Sequence, residues 1–108
     1  MYDELLQALK LTGIPTAEGD WDRAPQEGSY MVLRLDYEAS ALWADNHQRQ
    51  QALEGSVHLF LRSGDKVDFR QIQGIFDAME ISWRLAATLY EPRNHTVHYE
   101  WAIQLEVL

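Results

Sequence analysis

The sequence predicts an α+β fold: a mainly antiparallel sheet of about four strands with two helices on one of its faces. Three observations lead there. Two stretches repeat apolar residues at helical spacing, four alternate apolar and polar residues, and Gly, Pro, Asn and Asp clusters separate them. The order of these stretches is α-β-β-α-β-β, with runs of strands between single helices, which favours a layered α+β arrangement over a parallel α/β one. The 108 residues suit one domain spanning 1–108, with a single modest core.

The elements follow in order. Asp3 is positioned to cap a first helix, whose apolar stripe is Leu5, Leu6 and Leu9 with Ala8 beside it. "TGIP" ends it, because Gly13 suits the position after a helix and Pro15 blocks continuation. Residues 16–29 are rich in Gly, Pro and acids and read as a loop with one brief extended piece. Within that loop Trp21 reads either as a ring folded over the edge of the core or as a contact residue. "YMVLRLDYE" places Met31, Leu33, Leu35 and Tyr37 on one face of a strand and Arg34, Asp36 and Glu38 on the other. "SVHLFLRS" sets Val57, Leu59 and Leu61 opposite His58, Phe60 and Arg62, a solvent or interface face.

A second helix is expected after "SGD", with Asp65 as its cap and a stripe of Phe69, Ile72, Phe76 and Met79 widened by Ile75. Gly74 sits inside it at a cost of about 1 kcal/mol against Ala. "SWRLAATLYE" then puts Trp83, Leu85, Ala87 and Leu89 on one face. After a turn at "PRN", "HTVHYEWAIQLEVL" alternates Val97, Tyr99, Trp101, Ile103, Leu105 and Val107 against His98, Glu100, Ala102, Gln104 and Glu106. The apolar face of this closing hairpin requires cover from the helices.

Residues 39–55, "ASALWADNHQRQQALEG", admit two readings. As a helix, Leu42, Trp43, Asn46, Gln50 and Leu53 form a weak stripe that Gly55 would stop. As a hairpin tip, Asp45 and Asn46 supply turn chemistry and tolerate a positive φ.

Composition narrows the function. Nine basic residues against seventeen acidic ones give a net charge of −8, and no Lys/Arg cluster stands out, so the basic footprint of a nucleic-acid-binding protein is missing. No apolar run approaches the ~20 residues of a membrane-spanning helix, and the opening "MYDELLQALK" is acidic, unlike a secretory signal. Cytosolic synthesis is expected. With no cysteine there is no thiolate nucleophile or thiolate metal ligand, and no Gly-x-Ser-x-Gly motif or phosphate loop occurs. His95 and His98, three apart on an alternating strand, point to opposite faces and cannot chelate one ion. Asp45 and His47 have metal-ligand spacing, but the sequence names no further ligands for them. The expectation is a protein without catalytic residues, cofactor or metal; a small metal-binding or hydrolytic domain using Asp45 and His47 is the remote alternative.

Several segments, in serial order over nearly the whole chain, resemble the tail-completion (tail-terminator) proteins of long-tailed bacteriophages. They are "LLQALKLTGIP", "SYMVLRLDYE", "WADNHQ", "VHLFLRSGD" and "TLYEPRNHTVHYEWAI". The resemblance implies an α+β subunit of a hexameric ring that caps the finished tail tube and joins it to the head, assembled in the bacterial cytoplasm and resident in the virion neck. The implied partners are further copies of the chain, the tail tube protein and a head-closure protein, with no specific nucleic-acid or membrane binding. In that family the segment matching Ala44-Asp45-Asn46 lies on a hairpin arm that meets neighbouring subunits, which favours the hairpin reading. "HQRQQALEG" departs from it, lacking the aromatic and β-branched residues of a strand. The implied subunit-interface residues are Trp43, Ala44, Asp45, Asn46 and His47, with Trp21 a further candidate. Another head-tail connector or tube-related virion protein is the alternative within the same machine.

Overall fold

The computed structural model describes residues 2–19, 28–36 and 51–107. Its elements are α1 (Tyr2–Lys10), β1 (Thr16–Glu18), β2 (Tyr30–Asp36), β3 (Gln51–Arg62), α2 (Phe69–Ala78), β4 (Ser82–Glu91) and β5 (Thr96–Val107). The strands form one sheet in the order β1-β2-β3-β5-β4. The class is α+β, as the sequence indicates, and among the described residues there are two helices and a mixed sheet of five strands rather than four antiparallel ones. β1 pairs parallel to β2, and the other neighbours are antiparallel. The extra strand is the brief extended piece expected in the 16–29 loop. At three residues it is too short to show alternation, and its place is fixed by backbone bonds from Met31 to Pro15 (2.8 Å) and from Gly19 to Leu33 (2.9 Å).

Both helices pack on one face of the sheet. Leu5, Leu6 and Leu9 of α1 join Ile72 and Phe76 of α2 over Met31, Leu33, Val57, Leu59, Trp101 and Ile103, the strand positions that alternation assigns to the core. α1 starts at Tyr2, two residues earlier than a cap at Asp3 implies, so Asp3 lies in its first turn, where its charge complements the positive end of the helix dipole. At the other end Gly13 takes the left-handed conformation at φ +86. The Thr12 hydroxyl donates to the Leu9 carbonyl (2.6 Å) and accepts from the Ile14 N–H (3.2 Å).

The cap of α2 is Asp68, not Asp65. The Asp68 carboxylate accepts from the Arg70 N–H at 2.9 Å and pairs with its guanidinium. Asp65 instead accepts hydrogen bonds from the backbone and hydroxyl of the buried Ser29, whose Oγ accepts from the Arg62 N–H (2.9 Å). That bridge ties the start of β2 to the end of β3.

α2 also tethers two tryptophans. The buried Trp101 presents its edge to Phe76, with ring centroids 5.8 Å apart, and its indole N–H donates to Gln73 (3.1 Å); the Trp83 N–H donates to Asp77 (2.7 Å). A buried indole needs such a partner, since its N–H has given up water.

One sequence expectation fails on the strands, since β4 does not alternate throughout. A bulge between Leu85 and Ala87 shifts its register, so Leu85 pairs with Trp101 whereas Leu89 pairs with His98 and Tyr90 with Val97. Leu89 thereby changes sides, to the face away from the helices. Of the two readings of residues 39–55, the helix stopped by Gly55 does not hold over 51–55, which belong to β3 and pair with 103–107 of β5. Gly55 lies opposite Leu35 in the β2–β3 ladder. Among the described residues β2 and β3 are antiparallel neighbours. The rest of the 39–50 question lies outside the described residues.

Candidate functional site on the helix-free face

The register sets three cross-strand rows on the face away from the helices. They run Tyr30–Phe60–His98–Leu89, Val32–His58–Glu100–Ala87 and Arg34–Ser56–Ala102–Arg84. Sequence alternation gives this face to solvent or to an interface, yet its centre is closed: His58 is only 5% and His98 only 7% exposed, and Val32 and Phe60 are also buried. The rings shield one another. Phe60 stacks on Tyr30 with centroids 4.6 Å apart and on His98 at 4.2 Å, a flat aromatic layer across three strands. Alternation alone cannot reveal this, because it shows which face a residue occupies and not which flat side chains become cross-strand neighbours.

The two histidines lie diagonally across β3 and β5 and meet. His58 Nδ1 is 2.9 Å from His98 Nε2, a hydrogen bond in which one ring's N–H donates to the other's lone pair. His58 Nε2 is 2.9 Å from the Ser56 hydroxyl, and a Glu100 carboxylate oxygen stands 3.8 Å from His58 Nδ1. Burial lowers the pKa of His58 from its usual 6.5 to about 4; Glu100 opposes the shift, while His98 and Arg34 add to it. Burial lowers that of His98 as well, against Glu100 and Glu91. Both rings are therefore neutral near pH 7.

Beside this cluster a cleft of about 640 Å³ is lined by Arg34, Glu54, Ser56, Arg84, Glu100 and Gln104, among others. Glu100 thus belongs to both cluster and cleft, with its side chain 38% exposed. No protein-family model, curated protein or solved structure matches the chain.

The interface residues expected from the sequence, Trp21, Trp43, Ala44, Asp45, Asn46 and His47, all lie outside the described residues. The structure contributes two features that sequence reading missed. One is the His58–His98–Glu100 cluster. Its sequence signal was present in "VHLF" and "VHYE", which place histidines at equivalent positions of two alternating strands, but only the strand pairing and register make them neighbours. The other is the edge strand β4, along which Leu85, Leu89 and Tyr90 are exposed. Among the described residues no helix is long and apolar enough to cross a membrane.

Proposed function

We propose that the protein is a structural, ring-forming component of the neck of a long-tailed bacteriophage, of the tail-terminator kind. Copies of the chain associate side by side into a ring, six in number by the family resemblance, that caps the tail tube and joins it to the head-closure protein. The ring acts through shape and interfaces rather than catalysis. The resemblance carries the identity of the machine.

The observation that supports self-association is the β4 edge. Among the described residues the ten-residue β4 lies at a sheet edge and exposes apolar side chains, with Leu89 55% and Tyr90 61% exposed. Lone subunits usually blunt such edges, which otherwise invite pairing with a further chain. The opposite edge, β1, has only three residues. Two such unlike edges suit a head-to-tail contact, the kind that closes into rings. Trp43 and the loop 44–47 are proposed as a second contact with the neighbouring subunit, with Trp21 a lesser one. The acidic balance of −8 suits a channel through which DNA passes without adhering.

Size-exclusion chromatography with light scattering, run over a range of concentrations, tests this reading. The expected result is a concentration-dependent rise to six copies, with ring-shaped particles by electron microscopy. Trp43→Ala should weaken the association while leaving the far-ultraviolet circular dichroism unchanged. A strict monomer at every concentration up to ~1 mM, where even a contact of about −4 kcal/mol would be half formed, overturns it.

A further inference from the structure

We propose that His58 Nδ1, His98 Nε2 and a carboxylate oxygen of Glu100 form a binding site for a late first-row divalent metal ion, with zinc the principal candidate. The inference does not depend on the ring reading, and either can fail alone.

The geometry carries it. One candidate ligand atom from each residue lies within 4.8 Å of the others, and the set is built on two adjacent, fully paired strands. Two imidazoles and one carboxylate are a ligand set that zinc takes with three protein ligands, leaving the fourth position to water. With Zn–N bonds of about 2.0–2.1 Å at a tetrahedral centre, two ligating nitrogens stand roughly 3.3 Å apart. The observed 2.9 Å requires a separation of only a few tenths of an ångström, within reach of small side-chain torsions. The ion would take the place of the proton that the two nitrogens now share.

The surroundings fit the same assignment. Ligation through His58 Nδ1 leaves the proton on Nε2, where the Ser56 hydroxyl, 2.9 Å away, accepts it. A partner on the non-ligating nitrogen is the usual support for a metal-bound histidine, because it fixes tautomer and ring orientation. Phe60 stacked on His98 holds that ring in place. Glu100 provides a path of entry, since it faces the cleft while the histidines are enclosed. All-carboxylate chemistry would favour calcium or magnesium; two imidazoles favour zinc, nickel or copper.

The test uses the untagged full chain, stripped with a chelator and dialysed. Zinc titration is followed by competition with a chromophoric chelator and by thermal melting, and cobalt(II) substitution by visible absorption. The expected result is one zinc per chain, a higher melting temperature with zinc, and intense cobalt bands of a four- or five-coordinate site. Glu100→Gln, a partly exposed position, should weaken zinc affinity about ten-fold or more and change the cobalt spectrum. His98→Gln should abolish the bands and is read only where its circular dichroism matches the parent. His47→Gln and His95→Gln should leave both readouts unchanged. No zinc bound at ~1 mM overturns the assignment. So does zinc binding that Glu100→Gln leaves intact.

Discussion

Gly55 and Gly74 both interrupt regular elements, and their surroundings give them opposite effects. A Cβ on Gly55 would stand 2.4 Å from the backbone carbonyl oxygen of Arg34, which can move only with the strand. Gly55→Ala should therefore destabilise the protein by about 1–3 kcal/mol in urea denaturation, the range for overpacking a closed site. A Cβ on Gly74 meets open space on the outer side of α2. Gly74→Ala should stabilise by about 0.5–1 kcal/mol, through higher helix propensity and a less flexible unfolded chain. The sequence shows Gly74 in a helix but leaves the role of Gly55 open, because a helix stop and a closely packed strand position both select glycine. His58 gives the third prediction at this scale. Its folded pKa of about 4 lies below the ordinary 6.5, so between these values the unfolded chain binds more protons. The stability from keeping the ring neutral is complete above pH 6.5 and is lost as the pH falls to about 4. The loss is on the order of 3 kcal/mol for His58 alone. The groups facing it are His98 and Glu100 on β5 and Arg34 on β2, with Glu91 of β4 acting on His98. Melting of chelator-treated protein across this window should show the loss, and His58→Gln should flatten it.

At the scale of the elements, sequence periodicity found both helices and four of the five strands among the described residues, because each commits several apolar residues to one face. Its failures have local causes. The parallel strand β1 is too short for a pattern. The bulge near Ala86 breaks the alternation of β4 without any glycine or proline to mark it, so Leu89 and Tyr90 change sides. The two aspartates before α2 are chemically equal as caps, and the choice of Asp68 depends on Ser29, 36 residues away, engaging Asp65. The candidate metal cluster was hidden for the same reason, since His58 and His98 are 40 residues apart and only register joins them. The link between α2 and β5 can be tested directly. Gln73→Leu keeps helix propensity and adds apolar bulk, but it removes the acceptor of the Trp101 indole. A loss of about 1–3 kcal/mol is expected, the cost of a buried donor left without a partner, whereas Gln73→Glu, which keeps an acceptor, should lose less.

For the whole molecule two forces act on association in opposite senses. The net charge of −8 makes copies of the chain repel one another, while in the proposed ring the exposed apolar edge of β4 would draw them together. The repulsion between exposed charges is screened by salt, with a Debye length of about 10 Å at 0.1 M and about 3 Å at 1 M, whereas apolar contact is not weakened. Association of the parent chain should therefore strengthen as sodium chloride rises from ~0.05 to ~1 M. Sedimentation velocity reads this as a shift toward larger species. Placing lysine on the edge, as Leu89→Lys with Tyr90→Lys, lowers the net negative charge and hence the repulsion, so a purely electrostatic account predicts tighter association. An edge that joins copies through its apolar side chains predicts the reverse: the double variant stays monomeric at both salt concentrations. Because both side chains are more than half exposed, its melting temperature should remain close to that of the parent's monomer. Association that survives the double lysine change would place the contact elsewhere than β4.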